Sequence, residues 1–443
     1  MILFEDIRLI EALKGYKFSD SVTSTPVIFS GEFEAKMARL IRKKQRNYNL
    51  RIHSQRAAAA VIVIALLGSF LFLLLLPRNT GELTPLNTGQ DDNFTHTPDE
   101  TIIPEPEPAP DPAPDTVEED MITIDLSYSY ITDELLADMI ESGEIPQNTI
   151  DLNLTGNEIS DITPLKSLTN LSRLNLEDNF YIIDITVLQS LTELTELRLG
   201  NNRICDLAPL QSLTMLAQLH LERNQISDIT PLESLASLTV LQVPVNQISD
   251  ITPLKSLTEL TVLHLGGNQI SDITPLESLT KLTVLHLGGN LISDITPVQS
   301  LAKLTELHLG TNQVSDITPV QSLTELTVLH LGINQINDIT PLESLTELTE
   351  LGLLINQISD ITPLKSLANL TELDLQHNQI SDITPLQSLT KLTKLHLASN
   401  LISDVTPLKS LTNLIELGLN ENQVSDTQVR ELRAALPGCE IYF

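Results

Sequence analysis

Tryptophan is absent from the 443 residues, and from 194 to 413 there is no Phe, Tyr or Trp. Aromatic side chains anchor most tight interfaces, so any binding by this stretch must draw on other groups, with modest affinity per site. Cysteine occurs twice, as Cys205 and Cys439, the former replacing the Ser of a recurring "ISD" triplet. If the repeats described below stack, these cysteines stand about ten units apart, roughly 50 Å at strand spacing and far beyond disulfide reach. Positive charge is scarce after Pro77, where fifteen Lys/Arg face fifty-two Asp/Glu. Phosphate binding needs clustered Lys/Arg, so nucleic acid is excluded as a partner. No Ser or Cys nucleophile accompanies the histidines, and neither Lys nor a helix start follows the "GGN" pairs. The sequence therefore calls for no enzyme, no cofactor and no metal.

What is present divides the chain sharply. From Ala57 to Leu76, "AAAAVIVIALLGSFLFLLLL" runs without a charge, and as a helix it would span about 30 Å, one hydrocarbon core. Eight basic residues precede it (Lys36, Arg39, Arg42, Lys43, Lys44, Arg46, Arg51 and Arg56) and only Arg78 follows closely. The expected topology is single-pass in a bacterial cell membrane, with the N-terminus cytoplasmic and the bulk outside. A cleaved signal peptide fits poorly, since 56 residues precede the segment and no small-x-small site follows. Residues 1–56 form a basic tail and 57–76 a transmembrane helix. Residues 77–117, with "TPDETIIPEPEPAPDPAPDT", form a Pro- and acid-rich disordered linker that buries almost nothing.

The stretch "FSGEFEAKMARLIRKKQRNYNLRIHSQRAAAAVIVIALL" resembles the juxtamembrane part of membrane-anchored regulatory and surface proteins of Gram-positive bacteria, some with anti-sigma-like tails. That resemblance implies a cytoplasmic partner for residues 1–56. The alternative is a plain anchor whose basic helix lies on anionic lipid, with Met37, Leu40 and Ile41 on one face. His53 has no Cys beside it, so a zinc-type anti-sigma motif is absent.

From Thr149 onward the chain repeats with a period of 22. One unit, "LTVLHLGGNQISDITPLESLTK" (260–281), carries apolar letters at Leu260, Leu263, Leu265, Ile270, Ile273, Leu276 and Leu279. Its Asn268 recurs as Asn157, Asn179, Asn202, Asn224, Asn246, Asn290, Asn312, Asn334, Asn356, Asn378, Asn400 and Asn422. This pattern resembles the leucine-rich repeat, and its "NQISDITPLxSLTxL" form resembles the internalins most, with the SDS22-like regulators beside them. Alternation in "VLHLG" places Leu263 and Leu265 inside and Val262, His264 and Gly266 outside. Lone units have no interior, so leucines become buried only between stacked neighbours. The expected fold is α/β: a curved right-handed leucine-rich-repeat solenoid, with a parallel β-sheet on its concave face and short 3-10 turns on its convex face, preceded by one transmembrane helix. The asparagines should form a structural ladder along the turning backbone. Asp272 suits an N-cap and Pro275 a first helical position. The second unit has one extra residue and no proline in "NFYIIDITVL" (179–188), which predicts a local bulge.

Residues 118–148 are expected to cap the first repeat, with a helix near 132–142 turning Leu135, Leu136, Met139 and Ile140 inward before Gly143. The repeats run over 149–425. Residues 426–443 cap the end with Val429, Leu432 and Leu436 on a short helix and "PGCEIYF" as a last strand. No sortase-type signal follows, so surface attachment is expected to rest on the N-terminal anchor.

Counting four residues back from the ladder puts His220, His264, His286, His308, His330 and His396 in one outward column. Val262, Val284, Glu306 and Val328 flank it. Three readings stay open: an inheritance of duplication, a docking strip for a protein or peptide, or adjacent imidazoles sharing a metal without a carboxylate column beside them. The resemblance implies a membrane-anchored extracellular protein that binds a protein partner; the alternative is a transmembrane signalling receptor or anti-sigma-like regulator acting through its tail. Close imidazoles disfavour joint protonation, so His-dependent binding is predicted to change below about pH 6, and flat affinity from about pH 7.5 to 5.5 would remove the column from the site.

Overall fold

The structure, a computed structural model, describes residues 121–443. The basic tail, the apolar segment and the linker lie outside the described residues; among those described, no helix is long and apolar enough to cross a membrane. Fifteen parallel strands, β1 (Ile122–Asp125) through β15 (Glu440–Tyr442), form one sheet in strict chain order. Between them run twelve five-residue 3-10 turns such as Thr274–Ser278.

Each strand is short because only three residues of a unit alternate before the chain turns. In the pair Val262–His264 and Val284–His286, Leu263 faces Leu285 and His264 faces His286. The leucines are fully buried, whereas the valines and histidines remain half-exposed. Register in a parallel stack follows from this pattern, since a slip by one residue would expose every leucine.

At the turn after each strand the ladder asparagine satisfies backbone groups that nothing else reaches. Asn290 donates from Nδ2 to the carbonyls of Leu265 (3.1 Å) and Leu287 (2.9 Å), and its Oδ1 accepts from the Ile270 N–H at 3.1 Å. One side chain thus ties two coils together. The residue before each asparagine adopts a left-handed backbone, for example Gly267 at φ +69° and Gly289 at +72°. Glycine suits this conformation, yet Val245, Ile333 and Ile355 occupy it as well, at 58°, 58° and 51°.

The aspartate of "SDITPL" acts one position away from the one expected. Ile273 is the N-cap residue and has no side-chain capping bond, while Asp272 Oδ1 accepts the Thr274 N–H at 2.9 Å. An Asx-type turn of this kind satisfies the Thr274 N–H, while Pro275 next to it has no N–H to satisfy. The second unit builds the same turn, Thr186–Ser190, without proline, because Asp184 bonds both the N–H and the hydroxyl of Thr186.

The extra residue of that unit makes Arg173 pair with Glu196, a step of 23 instead of 22. Its consequence is a break in the ladder: Asn202 Oδ1 is buried with no hydrogen-bond partner. The displaced segment exposes Phe180, Tyr181 and Ile183, and Arg203 lies over the Tyr181 ring at 5.2 Å.

Both ends of the stack are closed. Helix α1 (Asp133–Glu141) starts at Thr132, whose side chain accepts the Leu135 N–H, and buries Leu136 with Leu135, Met139 and Ile140 packed beside it. Helix α2 (Asp426–Ala435) opens with a capping box between Ser425 and Gln428 and buries Val429 and Leu432. Leu436 is buried just beyond it.

Replacing Asn290 by Ala orphans one N–H and two carbonyls inside the stack. Loss of roughly 2–3 kcal/mol is expected. Gln269→Ala, on an exposed neighbour, should stay within about 0.5 kcal/mol. Urea unfolding of both variants measures the difference.

Candidate functional site

The sheet face turned away from the leucines carries the residues singled out in the sequence. His264, His286, His308 and His330 form an unbroken run on four adjacent strands, with ring centroids 4.0, 4.0 and 4.4 Å apart. His264 and His286 are stacked nearly parallel, at 4°. His396 stands apart from this run, opposite Asp374 and Gly418. His220 is buried, at 6% exposure, and Gln242 separates it from His264. Val262, Val284 and Val328 are half-exposed beside the rings.

Carboxylates accompany the histidines more closely than the sequence reading allowed. Glu306 Oε1 lies 2.7 Å from His286 Nε2 and 2.8 Å from His308 Nε2, and Glu350 Oε1 lies 2.8 Å from His330 Nε2. The His286 contact is a hydrogen bond, whereas His308 Nε2 lacks bonding geometry and has no partner. Glu350 was missed because column counting compares residues 22 apart. The diagonal reach back to the preceding strand has a spacing of 20.

Burial shifts these groups. It lowers His264 and His308 to about 4, helped in each case by the positive charge His286 would carry. His330 adds to this at His308. His264 and His308 are therefore neutral rings at pH 7. For these two rings the protonation expected near pH 6 moves down by about two units. Glu306 is held below the usual carboxylate range: burial pushes it up, but its hydrogen bond with His286 and the histidine charges outweigh that.

Two further features of this face were not anticipated. Near its N-terminal end lies a shallow charged hollow, where Arg173 pairs with Asp151 and Arg198 with Glu196, each at 2.6 Å. Toward the other end, Ile333 and Ile355 are each 42% exposed on adjacent coils, and Leu354 leans over Gly332. The signal was in the letter before each ladder asparagine, where β-branched residues replace glycine.

Two acid transitions follow. The unfolded chain protonates its histidines at about 6.5, above the folded values of His264 and His308. Their contribution is thus present above pH 6.5 and lost progressively as pH falls toward 4. The turn aspartates, such as Asp272, lie below 3.8 because of side-chain and then backbone bonds from Thr274. They withdraw support only as pH falls below that value. The urea midpoint should decline in both windows, and His308→Gln should flatten the first alone.

Comparison with known proteins agrees with this architecture. A family model described as leucine-rich repeats (2 copies) matches 236–278, 258–300, 280–322, 324–366, 346–388, 368–410 and 390–434. No curated protein sequence matches the chain. Among solved structures, an internalin (inlF) from Listeria monocytogenes is 36% identical, with a TM-score of 0.65, covering 69% of this chain and 94% of its own. A leucine-rich-repeat protein of Leptospira interrogans shares the fold at 24% identity and TM-score 0.59, over 73% of this chain and 96% of its own. The plant peptide hormone receptor RGFR1, solved in complex with RGF2, shares it at 21% identity and 0.52, over 64% and 57%. With its 22-residue units, asparagine ladder and extensive match to an internalin, the chain belongs to the internalin-like leucine-rich-repeat proteins, a non-enzymatic family.

Proposed function

We propose that residues 121–443 bind a protein or peptide on the open face of the sheet. In this reading the face is the concave side of a curved solenoid held outside a bacterial cell by the apolar segment 57–76. The anchor and its direction rest on twenty uncharged residues and on the charge contrast of +5 before and −37 after them. Peptide binding by a structural neighbour, the plant receptor in complex with RGF2, supports the use of the fold.

The observation that carries the proposal is the pair Ile333 and Ile355. β-Branched residues in a left-handed backbone are strained, and neither side chain is buried in return. Stability alone favours glycine or asparagine there. Ile333 and Ile355 stand three residues beyond His330 and Gly352, in the turns that leave adjacent strands, and supply apolar surface where residues 194–413 have no aromatic anchor.

The test uses the fragment from Glu118 to Phe443 as bait for surface proteins. Ile333→Asn with Ile355→Asn should match or exceed the parent in stability, by up to about 1 kcal/mol per site, and still lose capture. Replacing His286 and His308 by Ala should weaken it too. Undiminished capture by both double variants would refute the open-face site. The resemblance of residues 29–67 to juxtamembrane segments with anti-sigma-like tails supports a second reading, signalling to a cytoplasmic regulator. Deleting residues 1–35 leaves partner binding intact under the first reading and abolishes the response under the second.

A further inference from the structure

The buried histidine at the N-terminal end of the face has a different setting from the exposed run. The ring of His220 is buried, and its Nε2 has no hydrogen-bond partner. Glu177 and Glu222 converge on the same spot, and one ligand atom from each of the three residues lies within 4.8 Å of the others. Glu222 Oε2 is likewise buried without a partner.

Gly200 makes this convergence possible. Glu177, Gly200 and Glu222 occupy the same place in three successive coils, each two residues before a ladder asparagine. A Cβ at Gly200 would come within 2.7 Å of Glu222 Cδ and 2.9 Å of its Oε1. The missing side chain lets Glu222 lean across the intervening coil toward Glu177. Two carboxylates would not otherwise be drawn together in a molecule this acidic. Arg198 lies nearby, but its ion pair, at 2.6 Å, is with Glu196.

We propose that Glu177, His220 and Glu222 form a binding site for a divalent transition metal of the Zn²⁺ class. Imidazole with two carboxylates suits a borderline metal, where Ca²⁺ prefers six or more oxygens. Tetrahedral Zn²⁺ at 2.0–2.2 Å from each donor needs donors roughly 3.4 Å apart, so a small closure of the glutamates completes three positions and water takes the fourth. Burial and then the Arg198 charge lower His220, keeping the ring neutral as a ligand must be. Burial followed by the charge of Glu222 raises Glu177, outweighing the opposing charge of Arg198.

His286, Glu306 and His308 also group their donor atoms. There Glu306 Oε1 is already hydrogen-bonded to His286, so only His308 Nε2 is left without a bond.

Zn²⁺ and Ca²⁺ are titrated calorimetrically into the metal-stripped full chain in detergent. The expected result is a Zn²⁺ event that Ca²⁺ does not reproduce. Gly200→Ala, which removes no donor, and His220→Gln should each weaken the tightest event by at least about tenfold, while His308→Gln leaves it unchanged. Glu222→Gln serves as the substitute where circular dichroism shows that either variant has not folded. Absence of Zn²⁺ binding, retention of parental affinity in the folded site variants, or loss of the tightest event in His308→Gln would overturn the proposal.

Discussion

Every coil of this molecule turns inward after three residues of strand, and at that corner two carbonyls and an N–H face a hydrocarbon interior. The asparagine that meets all three is the constraint on which the rest depends. Asn268 bonds the carbonyls of Val243 and Leu265 and accepts from Ile248, joining the preceding coil to its own. A glutamine is too long and an aspartate has no donor, so the position admits little else. Where it is compromised, at Asn202, the insertion in the second unit leaves an acceptor stranded.

With the corners satisfied, apolar packing and parallel pairing follow from one another. The leucines are buried because the neighbouring coil is in register, and the register holds because they are buried. The short turn on the opposite edge asks for little beyond an aspartate two residues before the N–H it receives; proline helps, but the turn at Thr186–Ser190 forms without it. Such economy leaves the outward column out of the ladder and the buried core, so histidines, valines and glutamates are admitted there. It also brings rings 22 residues apart to within 4.0 Å, and at His264 burial and the nearby His286 charge hold the imidazole down at about 4.

The solenoid of parallel strands and 3-10 turns was legible in the letters, because a 22-residue period with a recurring asparagine leaves one way to hide the leucines. The outward face was legible only as a list of columns. Glu350 beside His330 escaped notice, since the diagonal contact belongs to neither column. The convergence of Glu177 and Glu222 depends on the empty volume above Gly200, which no spacing rule records. The placement of Asp272 was misjudged by one position for a related reason: an aspartate preceding a turn suits either an N-cap or an Asx bond, and only backbone angles separate them.

The sequence by itself determined the stack: which side chains are inside, which strand neighbours which, and where the series ends. Periodicity suffices for that, because each coil can bury its leucines only against another like it. Tertiary structure decided the chemistry of the surface. Whether an imidazole is charged, a carboxylate bridged or an isoleucine held out at a strained angle depends on distances between coils and on which side chain leans over which gap, and these are set by packing in three dimensions rather than by order along the chain.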